Sequence, residues 1–297
     1  MTEDEVLALL QECSNLGRWG DEDELGTLNY ITPLVRRGAA ALVRLGLPVS
    51  LGKDLDTTQS VINARPAWHV MHLETERPYA SADSLHLQVH GLATTHLDAI
   101  SHMFHDGVGY NGRRQSEVVG GDGVHAASIH AQREGIFTRG VLLDVAAAAG
   151  VPWLEPTEAV TPELLEAAER RTGEQLRSGD ALVVHTGLER RESAIGPEDP
   201  FRRAGLDAAC LPWLHRREVA VYSGDCIEQL PQPFARIPLP LHQVGLAAMG
   251  LILLDCPSLT ELVETCTRVA RTTFLLTAAP LRVRGGTGSP VNPIALF

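Results

Sequence analysis

Short apolar runs separated by helix-forming stretches constrain this 297-residue chain more than any other feature. Gly140–Val145 (GVLLDV), Ala181–Thr186 (ALVVHT), Val219–Ser223 and Leu251–Leu254 are too short for helices and lack polar alternation. That is the pattern of strands buried on both faces. Between the first two, Thr161-Pro162-Glu163 opens a helix with a capping hydroxyl and proline at the first position, and Gly173 closes it. A second helix is expected over Asp207–Arg217, and another opens at Thr32-Pro33 and closes near Gly46. Thr273–Val283 adds a further strand. Strands alternating with helices specify an α/β fold. With no repeat, low-complexity tract or linker, one domain over residues 1–297 is expected. Residues 1–50 form an N-terminal arm and helix on the core or on a neighbouring subunit.

The stretch Thr95-His96-Leu97-Asp98-Ala99-Ile100-Ser101-His102 carries the chemistry. In an extended segment His96, Asp98 and His102 share a face, because side chains alternate with period two. An imidazole and a carboxylate converging there suit Zn²⁺ or Mn²⁺, and a third group nearby serves as general base. Ser84–His90 leads in as a half-buried strand, with Leu85, Leu87 and Val89 on one face and His86, Gln88 and His90 on the other. A catalytic metal takes about three protein ligands plus water. His242, held by Pro238-Leu239-Pro240-Leu241, Asp255, ending the run Leu251–Leu254, and His86, Gln88 and His90 on the strand leading in are the candidates for the rest. Such a site runs metal-assisted hydrolysis. Asp106–Gly112, with Tyr110 and Asn111, reads as a loop beside it. Trp19, Trp68 and Phe104 either stack on an aromatic substrate or simply pack, and Asp225 reads as structural.

A formal charge of −12, from 25 basic against 37 acidic residues with no basic run, argues against nucleic acid or an anionic membrane surface as partner. The five cysteines never form a CxxC pair and read as free thiols of a reducing compartment. None has a neighbouring base in sequence, so a thiol nucleophile is not expected. An acidic Met1–Glu5 and no apolar run of membrane-spanning length complete the expectation of a cytoplasmic protein acting on a small molecule.

On these residues the chain resembles the cyclase family of metal-dependent hydrolases, which includes bacterial kynurenine formamidase and isatin hydrolase. The family signature runs H-x-G-T-H-x-D-x-P-x-H, and Thr95, His96, Asp98 and His102 match its T, second H, D and last H. Gly17-Arg18-Trp19-Gly20 with Asp23-Glu24-Leu25-Gly26-Thr27-Leu28-Asn29 is similar to the N-terminal signature of one branch. Arg139–Asp144, Thr186-Gly187 and Gly286–Pro293 are similar to later blocks.

The resemblance implies a swivelling β/β/α domain with mixed sheets and flanking helices, assembled as a homodimer or homotetramer. It implies His96, Asp98, His242 and Asp255 as ligands of one or two Zn²⁺ or Mn²⁺ ions, and His102 as the catalytic acid/base. Leu92 stands where the signature has its first His, Thr94 its Gly, Ile100 its Pro, and Asp255 where the formamidases have Glu. Either His90, of the same strand parity as Leu92, replaces that ligand through a bulge at Gly91, or the site holds one metal with a sparser shell. Trp19, Phe104 and Tyr110 are the expected substrate contacts. The implied activity is arylformamidase-like hydrolysis of an amide, lactam or lactone C–N or C–O bond in a small substrate, aromatic ones included. The same groups could instead cyclise or dehydrate a polyketide-like carbonyl compound. Leu92 also leaves open a degenerate, non-catalytic ligand-binding member.

Overall fold

A computed structural model describes residues 1–73, 76, 79–197 and 199–297. Its strands begin with β1 (Pro48–Ser50), β2 (Trp68–His72), β3 (Ala82–His86), β4 (His96–Asp98), β5 (Val119–Gly120), β6 (Gly123–Val124), β7 (Ile136–Asp144) and β8 (Ala159–Val160). They continue with β9 (Ala181–His185), β10 (Gly205–Leu206), β11 (Val221–Gly224), β12 (Ile252–Asp255), β13 (Thr273–Ala278), β14 (Gly288–Pro290) and β15 (Ile294–Leu296). Nine of them form one mixed sheet in the order β1-β15-β13-β7-β9-β11-β12-β4-β14. The others pair off as β2 with β3, β5 with β6, and β8 with β10.

At the centre of the sheet β7, β9, β11 and β12 run parallel. Their side chains alternate between two cores. Val141, Leu143, Leu182, Val184 and Leu253 enter one, while Leu142, Val183, Val221, Ile252 and Leu254 enter the other. Helices Glu3–Glu12, Pro162–Thr172 and Cys210–Arg216 fill the first through Val6, Leu9, Leu165, Leu211 and Leu214. Helix Thr260–Val269 and the N-terminal stretch fill the second through Leu262, Cys266, Leu28 and Ile31. A strand covered on both faces has no solvent side, which is why these segments read as unbroken apolar runs. Helix Pro162–Thr172 is capped by Thr161 and closed by Gly173 in the left-handed region, as its sequence predicts. Among the described residues no helix is long and apolar enough to cross a membrane.

Some boundaries differ from the sequence reading. The helix opening at Pro33 ends at Ala40, not near Gly46. The amides of Leu45 and Leu47 both donate to the Phe297 carbonyl, which draws this segment onto the C-terminal strand. Strand β13 stops at Ala278, because Pro280 has no N–H to continue the ladder. The largest correction concerns Ser84–His90. Strand β3 ends at His86 and pairs only with β2, whose residues are all exposed, and Leu85 is 49% exposed. The alternation marks a strand correctly, but this hairpin lies off the main sheet and neither face meets a core. Trp68 is exposed with it.

The N-terminal stretch is held by a close backbone approach. The Thr27 amide donates to the Gly250 carbonyl at 2.9 Å, and its hydroxyl donates to the Ala220 carbonyl at 2.7 Å. Gly26 and Gly250 both have positive φ, +53° and +63°, and a Cβ on Gly26 would stand 2.2 Å from the Gly250 oxygen. Only glycine fits, which explains Gly26 in the N-terminal motif. Gly26→Ala should therefore cost about 2–4 kcal/mol from strain and overpacking. Urea unfolding at unchanged m-value checks this, and a loss under about 0.5 kcal/mol would mean that the contact relaxes freely.

Candidate metal centre

Strands β7, β9, β11 and β12 end along one edge of the sheet, with Asp144 opposite His185 and Gly224 opposite Asp255. There the direction reverses. Strand β4 runs antiparallel to β12, which sets His96 beside Asp255. Open α/β sheets collect ligands at such carboxyl ends, where strand order switches. His96 and Asp98 lie two residues apart on β4, as expected for a shared face. His102 arrives differently. Strand β4 is only three residues long, and a 3-10 turn over Ile100–His102 follows it. His90 comes from irregular chain after β3 and not from a bulged strand. Its ring fits because Gly288 lacks a side chain: a Cβ there would stand 2.7 Å from His90 Cε1.

Asp98 is the hub and is fully buried. His90 Nδ1 lies 3.0 Å and His96 Nε2 3.5 Å from its Oδ1, and His242 Nε2 lies 3.9 Å from its Oδ2. Asp255 Oδ2 lies 3.6 Å from His242 Nε2 and 4.0 Å from His96 Nε2. His102 stacks on His90 with ring centroids 3.6 Å apart and planes within 4°. Ligand-capable atoms of His90, Asp98 and His102 lie within 4.8 Å of one another, as do those of His96, Asp98 and Asp255. Two distant stretches of sequence thus converge on one carboxylate.

Bonds on the far side of each group aim it inward. His96 Nδ1 donates to the Thr94 carbonyl at 2.8 Å. A carbonyl only accepts, so Nδ1 carries the hydrogen and Nε2 presents its lone pair to the cluster. His242 Nδ1 is bonded to Glu228 Oε1 at 2.5 Å, and the other Glu228 oxygen accepts from the Leu241 amide at 2.8 Å. Asp255 Oδ1 accepts from the Cys256 amide at 2.9 Å, which leaves Oδ2 for the cluster. Among the described residues, nothing hydrogen-bonds either Asp98 carboxylate oxygen, although both are buried. A bare carboxylate in a desolvated site carries a large free-energy cost unless a cation meets it. Imidazole nitrogens and carboxylate oxygens are the donor set of Zn²⁺ or Mn²⁺, so the residues present fit a metal.

Residues 49–228 match the model of the Cyclase family. The chain belongs to the cyclase family. It is similar to a crystal structure described as a novel cyclase, with TM-score 0.87 and 28% identity over 97% of this chain and 99% of the other. Isatin hydrolase A from Labrenzia aggregata, bound to benzyl benzoate, shares its fold at TM-score 0.61 and 21% identity, over 88% of this chain and 96% of that one. An isatin hydrolase bound to the product analogue thioisatinate does so at TM-score 0.59 and 18% identity, over 91% and 98%. Curated protein sequences yield no match.

In this cyclase-family chain, the expected metal residues His90, His96, Asp98, His242 and Asp255 come together with His102. The expected substrate contacts do not gather there in the same way. Tyr110 is 3% exposed and donates its hydroxyl to Asp23 Oδ2 at 2.9 Å, so it braces the N-terminal motif and has no face for a substrate. Trp19 packs edge-on against Tyr30 at 5.0 Å between centroids. Phe104 is half-buried under Gly109, where a Cβ would stand 2.8 Å from its ring. Asp225 is structural, as read: one oxygen accepts from the amides of Thr186, Gly187 and Leu188. Sequence reasoning missed Glu228. It is buried beside the centre, fourteen residues before the ring it holds, and no local sequence pattern sets it apart.

Burial pushes the His102 pKa down to about 4, with the adjacent His90 ring adding to that against the pull of Asp98. Its imidazole is neutral at pH 7. Burial also opposes protonation of His242, but Glu228 and then Asp255 hold it well above the ordinary imidazole value. Burial works to raise Asp255 as well, yet His242 and His96 keep its carboxyl below the usual carboxylate range. The metal-free protein therefore carries a proton on His242 that a cation must displace. Metal uptake at pH 7 should release about one proton from this ring, and His242→Gln should remove that release. Titration in a weakly buffered solution with a pH indicator checks it; equal release by both proteins would mean that His242 keeps its proton.

Proposed function

We propose that this cyclase-family protein is a metal-dependent hydrolase that cleaves an amide, lactam or lactone bond of a small substrate, in the manner of an arylformamidase. The observation that carries the reading is Asp98, buried with both oxygens bare, amid three imidazoles at 3.0, 3.5 and 3.9 Å. His90, His96, Asp98, His242 and Asp255 would hold one or two Zn²⁺ or Mn²⁺ ions. When bound, the cation supplies a Lewis acid that polarises the scissile carbonyl and acidifies water. The isatin hydrolases of the same fold favour hydrolysis over ring closure.

His102 carries the proton in this reading. Its neutral ring takes a proton as water adds to the carbonyl and returns one to the leaving nitrogen or oxygen. The stacked His90 ring fixes the plane of His102, and Glu228 fixes the tautomer of His242. The reading carries with it a swivelling domain and assembly as a homodimer or homotetramer.

His102→Ala should lower turnover of aryl formamides, lactams or lactones by about 100- to 10,000-fold while metal content stays at the parent's level. Loss of metal and turnover together would move His102 into the coordination shell. Asp98→Asn should abolish stoichiometric metal binding, measured by elemental analysis after reconstitution. A parent protein that takes up no metal and adds no water to any of these substrates would overturn the reading in favour of a non-catalytic ligand-binding protein.

A further inference from the structure

We infer that the 250 Å³ pocket beside His90 is where this enzyme seats its substrate, and that it selects a small apolar body bearing a carboxylate read by Arg65. The inference rests on the hydrolase reading and adds the substrate class. His90, Leu92, Ile62, Arg65, Gln88 and Phe201 line the pocket. It meets the cluster through His90 alone, whose Nδ1 stands 3.0 Å from Asp98.

Three features set the ligand chemistry. The first is size: 250 Å³ falls below the roughly 300 Å³ at which pockets for drug-sized ligands begin, so a single-ring or short-chain compound fits. The second is Leu92. It occupies the place of the signature's first histidine and here forms half-buried apolar wall next to His90, so a potential ligand position has become a contact for hydrocarbon.

The third is Arg65. Its Nη1 donates to Gln88 Oε1 at 3.2 Å, which steadies the guanidinium at the pocket wall. Among the described residues no carboxylate pairs with it. In a chain with 37 acidic against 25 basic residues, an arginine without an acidic partner beside a reaction centre is matched to an incoming anion. A guanidinium offers five donors in a planar fork, and one is used, so a carboxylate can be held at two points. The anion at Arg65 is separate from the scissile carbonyl, which must reach His102 and the cluster at the other side of His90.

Calorimetric titration of the metal-loaded protein with benzoate and benzamide tests the inference, because the two probes differ mainly in charge. Benzoate should bind at least about tenfold more tightly than benzamide, as expected for a hydrogen bond to a charged group. Arg65→Met, which keeps the apolar stem of an exposed residue, should erase that preference; Arg65→Lys should restore part of it. Leu92→Asp should weaken both probes. If the benzoate preference survives Arg65→Met and disappears in His96→Ala, the carboxylate sits on the cluster; the assignment to Arg65 then fails while the metal reading stands. Equal binding of both probes, or binding of neither, to a parent protein of full metal content likewise overturns the carboxylate pocket. Loss of the hydrolase reading itself is registered separately, by metal content.

Discussion

A buried carboxylate ringed by imidazoles organises this protein. Asp98 sits at zero exposure with both oxygens free of hydrogen-bond donors, a state that a desolvated anion does not sustain alone. Nitrogens of His90, His96 and His242 stand 3.0, 3.5 and 3.9 Å from it. Those nitrogens are aimed by groups that face away: the Thr94 carbonyl behind His96 and Glu228 behind His242. The centre is therefore two nested shells, and the outer one sets tautomer and angle for the inner. Removing Glu228 would leave the His242 ring in place but free to turn.

The sheet delivers these groups by direction rather than by proximity in sequence. Four parallel strands bring their carboxyl ends to one edge, and the antiparallel entry of β4 lays His96 against Asp255. Thr95 ties the two stretches together, since its hydroxyl accepts from the Lys53 amide and donates to the Cys256 carbonyl. The backbone next to His96 and next to Asp255 is thus held by one hydroxyl.

The doubly covered strands and the helix Pro162–Thr172 were legible in the sequence because their signals are local: unbroken apolar runs, a capping threonine, a closing glycine. The two halves of the centre were legible for the same reason. His96 and Asp98 have strand spacing, and Asp255 ends an apolar run. Apart from element boundaries, what failed was a question of surroundings. Alternation in Ser84–His90 reports two faces but not whether either meets a core, and the hairpin of β2 and β3 meets none. Tyr110 sits among turn formers that look like a rim, yet its hydroxyl is buried on Asp23, a partner 87 residues away. His90 reaches Asp98 by a route that depends on the absent side chain of Gly288, which no local pattern announces.

The unbacked ribbon of β2 and β3 bears on how this protein behaves in solution. Trp68, Val70, Met71 and Leu85 face water there without a layer behind them. At neutral pH the surplus of twelve negative charges keeps molecules apart. Near the isoelectric point of about 5.4 that repulsion vanishes while the greasy ribbon remains. Loss of that repulsion therefore favours self-association through the ribbon as the pH falls toward this value.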